Sequence, residues 1–450
     1  MFTTVTRRLA TRFCAFLLIA LLAFSPVCPA YSVLTHEEIV DLLWKQQIVP
    51  LLKARYPQTT DEELVKAHAY AYGGSVIQDI GYYPFGDKFF SDLTHYVRSG
   101  DFVENLIHDS QDVNELAFAL GALAHYVSDT HGHPYVNLSV GILYPELAQK
   151  YGPSVPYDVD HNAHLQTEFG FDVLQVAKNR YAPEDYHNFI GFEVSAPLLE
   201  RAFYDTYGLK LNDVMPNEQL AINTYRRSVS QIIPETTKVA LLVKGNQLQR
   251  EIPDFNRQRF LYHLSKADYR KAWGAGYKQP GPGTRVLAAL FKVVPKVGPF
   301  RAIDFKEPTA QTEDLYFKSV DQTTIAFRRA LHQVARGALD APEIDLDTGK
   351  PTALGEYPLA DFTYRDLLDG LAAQNFANMT PELRDSILHF YSGFEFQTIP
   401  AGEQKCVLQR REQTYKELTQ LRSLQLPNGP ARPGLAPSGA DAAASEFGSR

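Results

Sequence analysis

The chain has 450 residues, of which 45% are hydrophobic and 21% charged, a composition that fits a globular protein with one large or two ordinary domains. Because 52 Asp and Glu outnumber 44 Lys and Arg, the formal net charge is -8. This acidic balance argues against general binding to nucleic-acid backbones, although a local cationic site, including a bound metal, can still hold one phosphate.

The first thirty residues have the features of a secretory signal peptide. A basic stretch, "TRRLATR", precedes the apolar run "FCAFLLIALLAF" and the small-residue segment "PVCPA", which predicts cleavage after Ala30 and a secreted or periplasmic protein. An apolar run of twelve residues is too short to span a bilayer comfortably. Cleavage removes Cys14, Cys28 and three arginines but no acid, so the net charge changes from -8 to -11. Cys406 is then the only cysteine, which predicts stability from a large core or a bound metal without an internal disulfide.

After residue 30 the apolar spacing predicts helices. Thr35 to Glu38 has the capping-box spacing and starts a helix that we expect to break at Pro50. A second helix is predicted within "EELVKAHAYAYGGSVIQDI", interrupted at Gly73-Gly74. The segment "DVNELAFALGALAHYVSD" is apolar almost all round, so it predicts a buried helix that ends in a polar cluster. Further helices are predicted over 161–179, 193–206, 215–245, 256–272, 312–338, 359–374, 380–391 and 403–423.

The predicted fold class is therefore all-α. We divide the chain into a signal peptide (1–30), a first folded region (31–245), a helical C-terminal region of unknown role (246–425) and a disordered tail (426–450). The boundary between the folded regions is placed between 245 and 280, because "KQPGPGTRV" concentrates proline and glycine. The sequence does not indicate an oligomeric state.

A cluster of imidazoles and a carboxylate follows the buried helix in "AHYVSDTHGHPYVN". His125 and Asp129 are four residues apart, as are Asp129 and His133, so each pair shares one helical face. The same spacing recurs in "DHNAHLQTEFG" at His164 and Glu168. Neutral imidazole and carboxylate are the ligands that zinc takes outside thiolate sites, so the pattern indicates a metal centre.

A single His/Asp pair at this spacing is more often a hydrogen-bonded structural pair than a ligand pair. The conjunction of pairs favours a metal, since a buried apolar helix would otherwise hold costly polar groups without compensation. The additional candidates upstream are His36, Asp79 and His95. Asp87 and Asp92 compete with Asp79, and His161 competes with His164 but lacks a carboxylate four residues later. His131 faces away from His125 and Asp129 and is not expected to be a ligand.

The order of these residues resembles that of the zinc-dependent phospholipase C superfamily, which also includes zinc-dependent single-strand nucleases. The segments "YSVLTHEEI", "GGSVIQD", "THYV" and "HLQTEFGFDV" occur in the expected order, from Tyr31 to about residue 245. The likeness is greatest to the N-terminal catalytic domain of glycosylphosphatidylinositol-specific phospholipase D. That branch shares the eight-residue interval from His125 to His133. In phospholipase C and the nucleases the interval is ten residues, which would place the second histidine at the position of Tyr135 here.

The resemblance implies up to three zinc ions. One would be held by Asp79, His95, His125 and Asp129, a second by His133, His164 and Glu168, and a third by His36, Asp129 and the α-amino group and carbonyl of Tyr31. Cleavage after Ala30 would then create a metal ligand. Asp129 would bridge two ions, and Asp79 would orient or deprotonate the attacking water.

The implied function is a zinc-dependent phospholipase C-type hydrolase that cleaves phospholipids or other phosphodiesters with a metal-activated water, with peripheral contact to lipid surfaces. Two alternatives remain open. One is a nuclease or phosphatase of the same superfamily, which the acidic balance and the lack of a basic, aromatic-interleaved stripe disfavour. The other is a non-enzymatic zinc scaffold whose region after residue 245 binds a partner.

Overall fold

A computed structural model describes residues 33–177, 191–229, 305–394 and 405–426. Its helices are α1 (Val33–Leu43), α2 (Val49–Arg55), α3 (Asp61–Gly74), α4 (Lys88–Tyr96), α5 (Ser99–His108), α6 (Val113–Leu143), α7 (Pro145–Tyr151), α8 (His161–Ala177), α9 (Ala196–Tyr207), α10 (Leu211–Val214), α11 (Glu218–Arg227), α12 (Ala310–Ala335), α13 (Pro358–Ala373), α14 (Pro381–Phe390) and α15 (Lys405–Ser423). A π-helical turn (Trp44–Ile48) joins α1 to α2, and 3-10 turns span Ile77–Tyr82 and Tyr391–Gly393.

The all-α prediction is confirmed. Within the described ranges, β structure consists of the two-residue strands β1 (Ile344–Asp345) and β2 (Lys350–Pro351), which pair antiparallel. None of the described helices is both long enough and apolar enough to cross a bilayer. The predicted signal peptide, the predicted helix 256–272 and the tail from residue 427 lie outside the described residues.

The centre of the fold is the crossing of α3 and α6, which share an extensive interface. Glycines make this close approach feasible: a Cβ atom added at Gly74 would lie 2.0 Å from the carbonyl oxygen of Phe118, and one added at Gly121 would lie 2.0 Å from that of Ala71. Because the backbones touch here, the chain that leaves α3 runs directly past the middle of α6. The predicted interruption at Gly73-Gly74 corresponds to the end of α3.

The start of α1 differs from the sequence prediction. Thr35 lies inside the helix and does not form the predicted capping box. Its hydroxyl donates to Asp172 on α8 at 2.8 Å, and the other carboxylate oxygen of Asp172 accepts from the Leu34 amide at 3.1 Å. A carboxylate from a distant helix therefore satisfies the first turn of α1, which no local spacing rule could reveal.

The buried helix α6 does not end at the polar cluster. It continues through Pro134 to Leu143, so the cluster lies in mid-helix. Pro134 removes one backbone donor, but Val136 and Val140 beyond it are buried against Phe171 in a second apolar cluster. This tertiary packing outweighs the local cost of the proline.

The described C-terminal helices pack on the same core. Helix α12 lies along α6, and α13 lies against α4. One continuous cluster of buried side chains includes residues of the first folded region together with Phe327, Leu346 and Leu367. The boundary between 245 and 280 remains a prediction, but the residues on either side of it share one hydrophobic core.

Candidate metal centre

Five elements bring the candidate ligands together. His36 lies on α1, Asp79 on the 3-10 turn after α3, and His95 near the end of α4. The other five candidates lie on α6 and α8, namely His125, Asp129, His133, His164 and Glu168. All eight side chains are no more than 2% exposed.

The first group consists of Asp79, His95, His125 and Asp129. The His95 Nε2 atom lies 3.4 Å from Asp79 Oδ1 and 3.5 Å from Asp129 Oδ2. The His125 Nε2 atom lies 3.1 Å from the same Asp129 oxygen and 3.4 Å from His95 Nε2. Nitrogen and oxygen atoms from three separate elements therefore converge on one point.

Backbone carbonyls determine which nitrogen of each ring carries the proton. His95 Nδ1 lies 2.8 Å from the Ser91 carbonyl oxygen, and His125 Nδ1 lies 3.0 Å from that of Ser75. A carbonyl oxygen can only accept, so each Nδ1 donates and each neutral ring presents an Nε2 lone pair. The two lone pairs face each other across 3.4 Å, an arrangement that a shared cation stabilises.

Asp129 connects this group to the others. Its Oδ2 faces His95 and His125, whereas its Oδ1 lies 3.5 Å from His36 Nε2 and 3.7 Å from His133 Nε2. The His36 ring also stacks on His125, with ring centroids 4.4 Å apart. Asp129 thus links three groups of candidate ligands, which are centred on His95 with His125, on His36, and on His133.

The second half of the centre contains His133, His164 and Glu168. Glu168 Oε1 lies 2.9 Å from His164 Nε2 and 3.5 Å from His133 Nε2. The ring of Tyr157 contacts that of His164 edge-on, with centroids 5.5 Å apart. Tyr157 belongs to the long segment between His133 and His164, so part of this segment covers the second half of the centre.

Zinc fits these donor sets. Bonds of about 2.0–2.2 Å to a tetrahedral ion place neighbouring ligand atoms about 3.3–3.6 Å apart, close to the 3.1–3.5 Å separations within the first group. Both carboxylate oxygens of Asp79, Asp129 and Glu168 are buried and accept no hydrogen bond. Buried carboxylates without donors are costly, and a divalent cation would compensate them.

The pKa shifts of these side chains reflect the same concentration of buried charged groups. Burial lowers the pKa of His95, but the adjacent carboxylates of Asp129 and Asp79 outweigh burial and raise it to about 10. Burial raises the pKa of Asp129, but the charges of His125 and His133 outweigh it and hold the pKa well below its usual value. For His36, burial is the main cause of a pKa far below the usual one, and the neighbouring His125 adds to it. A bound cation would replace the protons that these carboxylates otherwise attract.

The candidate ligands lie within a segment that also matches the model of a known protein family. Residues 35–215 match the family model described as zinc dependent phospholipase C. The match supports a relation of this segment to the zinc-dependent phospholipase C superfamily. No curated protein and no solved structure matches the chain.

The phospholipase C-like segment also contains the competing candidates, which lie apart from the three groups. Asp87 caps α4 by accepting from the Phe89 amide, and Asp92 pairs with Lys88. His161 is exposed at the start of α8. His131 is half-buried, and burial followed by the charge of Arg329 lowers its pKa. Tyr31, the predicted source of an amino-terminal ligand, lies outside the described residues.

Sequence analysis missed one acidic residue at the centre. Asp347 lies outside the phospholipase C-like segment, yet its Oδ1 is 3.4 Å from His133 Nδ1. Asp347 belongs to the segment "DAPEIDLDTGKPTALGEYP", whose proline, glycine and aspartate residues are typical of turns that connect helices. The alternation of acidic and apolar residues in "EIDLD" was the available signal, and it predicts a short strand with one buried face.

Proposed function

We propose that this protein is a secreted zinc-dependent phosphodiester hydrolase that cleaves phospholipids in the phospholipase C manner. The observation that carries the proposal is the convergence of three buried donor groups on Asp129, with the His95 and His125 Nε2 lone pairs directed at one point. The match of residues 35–215 to zinc dependent phospholipase C supports the same activity. The finer likeness to glycosylphosphatidylinositol-specific phospholipase D remains part of the proposal.

When bound, zinc would lower the pKa of a water molecule and neutralise charge on the phosphate. Asp79, His95, His125 and Asp129 would hold one ion, and His133, His164 and Glu168 another. Both Asp79 carboxylate oxygens accept no hydrogen bond, so one could bind the ion while the other orients or deprotonates the attacking water. His133, His164 and Glu168 would orient the phosphate by fixing the position of their ion. The reaction needs no side-chain nucleophile.

A substrate comparison tests the proposal. The purified mature protein would be assayed with phosphatidylcholine vesicles, a short-chain water-soluble phosphodiester and single-stranded DNA. We expect release of the phosphorylated head group from the vesicles, loss of turnover with a chelator and recovery with Zn²⁺. Preferential cleavage of DNA would favour a nuclease, and no metal-dependent turnover of any substrate would leave the non-enzymatic scaffold.

A matched pair of histidine variants links turnover to the centre. His125→Ala removes a buried ligand candidate, whereas His108→Ala removes a histidine whose side chain is 37% exposed beside Asp109. We expect the first variant to lose zinc and turnover and the second to retain both. Full zinc content and activity in His125→Ala would contradict the proposed site.

The third zinc site depends on export and processing. We propose that signal cleavage after Ala30 frees the Tyr31 amino group to join His36 and Asp129 as a ligand. Protein that begins at Tyr31 should bind one zinc ion more than protein with one extra residue before Tyr31, and it should be more active. N-terminal sequencing of the secreted protein and metal analysis of both forms would check this, and equal zinc content would contradict it.

A further inference from the structure

Residues 341–349 form a strap that crosses the second half of the metal centre. Its backbone bonds to ligand-bearing elements: the Leu346 amide donates to the His95 carbonyl at 3.1 Å, and the Tyr126 hydroxyl donates to the Pro342 carbonyl at 2.6 Å. Asn137 on α6 donates to the Asp347 carbonyl at 2.8 Å. The strap is therefore fastened to the elements that carry His95 and His133.

The strap contacts the ring nitrogen of His133 that faces away from the other ligands. His133 Nδ1 donates to the Leu346 carbonyl oxygen at 2.8 Å, so its Nε2 presents a lone pair toward Asp129 and Glu168. Asp347 Oδ1 lies 3.4 Å from the same Nδ1. A carbonyl and a carboxylate of the strap thus set the tautomer and orientation of a candidate ligand.

The Asp347 carboxylate is itself held in place. Its Oδ2 accepts from the Tyr96 hydroxyl at 2.8 Å and from the Tyr357 hydroxyl at 2.6 Å. The Asp345 side chain accepts from the Asp347 amide at 2.9 Å and so forms the turn locally. With Oδ2 fixed by two phenols, Oδ1 remains directed at His133, and the residue is only 3% exposed.

We propose that Asp347 is a positioning residue for the zinc site of His133, His164 and Glu168, a proposal that rests on the proposed zinc centre. A negative charge beside the outer nitrogen of a ligating histidine raises the basicity of the inner nitrogen and fixes the ring. The C-terminal region therefore has a defined role, because it completes a zinc site whose ligands all come from the first folded region.

Zinc affinity measured site by site tests the proposal. Asp347→Asn keeps the shape and the acceptor for the two phenols but removes the charge, and Asp345→Asn is the matched control in the same turn. In competition titrations with a chromophoric chelator, we expect Asp347→Asn to lower the affinity for one zinc ion by about tenfold or more. The affinities of the other ions, and those of Asp345→Asn, should stay within about twofold.

A spectroscopic measurement on the zinc-bound protein would report the contact between Asp347 and His133 directly. In ¹⁵N-histidine NMR spectra, one ring N–H proton should move upfield in Asp347→Asn and stay in place in Asp345→Asn. If Asp347→Asn does not fold, Tyr357→Phe removes one donor to the carboxylate and should produce a smaller weakening of the same ion.

Three outcomes would overturn the inference. The first is wild-type zinc affinity at every site in Asp347→Asn, and the second is an equal loss of affinity at every site in that variant. The third is the same loss of affinity in Asp345→Asn. If one of these outcomes is observed while the wild-type protein binds zinc normally, this inference fails and the proposed function still stands. A wild-type protein that binds no zinc overturns the proposed function and this inference together.

Discussion

The candidate metal centre has a first half with Asp79, His95, His125 and Asp129 and a second half with His133, His164 and Glu168, and the two halves differ in how their histidine rings are held. His95 and His125 donate to the carbonyls of Ser91 and Ser75, which lie 4 and 50 residues away in the chain. His133 donates to the carbonyl of Leu346, which lies 213 residues away. The His95 and His125 rings are thus held from within the segment that matches zinc dependent phospholipase C, whereas the His133 ring is held by a residue beyond it. Ligands and their supports can therefore come from different regions of one chain.

The largest effect should follow from a change that breaks both halves. Asp129→Ala removes the carboxylate that faces His36, His95, His125 and His133. We expect zinc loss from both halves and a fall in kcat/KM on the order of 100- to 1000-fold, because the ions supply most of the charge stabilisation. Metal analysis and phosphodiester turnover would check this. Retention of a full zinc complement would show that Asp129 does not bridge the halves.

The next largest effect is expected at the crossing of α3 and α6, which supports the first half of the centre. Gly121→Ala places a Cβ atom 2.0 Å from the Ala71 carbonyl oxygen, so α3 and α6 must separate. We expect a loss of about 3 kcal/mol in the free energy of unfolding, measured by urea denaturation.

The control for this variant is the same substitution in the C-terminal region. An added Cβ atom at Gly370 on α13 meets nothing within 4 Å. Gly370→Ala should therefore stabilise the protein by about 0.5–1 kcal/mol, since alanine is the better helix former. Equal effects of the two variants would contradict a close crossing at Gly121.

A smaller effect concerns the strap. Burial, together with the charge of Asp101, raises the pKa of Glu343 from 4.5 to about 8. Between these values the folded state holds a proton that the unfolded state has lost, so this group lowers stability as the pH rises from 4.5 to 8. Glu343→Gln removes the titration and retains an acceptor for the Asp101 amide, which donates to Glu343 at 3.0 Å.

The measurement is urea unfolding of the wild type and Glu343→Gln at pH 6 and pH 8. We expect the wild type to lose more stability between these values than the variant. Parallel behaviour of the two proteins would show that Glu343 titrates normally in the strap.

The smallest effect is expected from a substitution far from both halves of the centre. Thr60 and Glu63 form an exposed capping box at the start of α3. Thr60→Ala should cost about 1 kcal/mol of stability and leave the zinc content unchanged, because the centre lies at the other end of this helix. Chemical denaturation and metal analysis of the same sample would test both expectations. A loss of zinc would show that the first half depends on the whole of α3.

Local patterns predicted much of the helical structure. The predicted helix 359–374 corresponds to α13, and 380–391 corresponds to α14, because apolar periodicity and capping residues are properties of neighbouring positions. The proximity within each candidate ligand pair on α6 and α8 could be predicted for the same reason, since residues four apart share a helical face. The capping box predicted at Thr35 was wrong, because Asp172 from another helix satisfies that turn.

By itself the sequence determined the helical fold class and the candidate ligand types, since both follow from periodicity and from residue chemistry at short spacing. Only the tertiary structure decided that α6 continues beyond Pro134 and that Leu346 and Asp347 reach His133. Both depend on packing between residues that are far apart in the chain. Burial of Val136 and Val140 offsets the cost of the proline, and a hydrogen bond across 213 residues has no trace in local spacing.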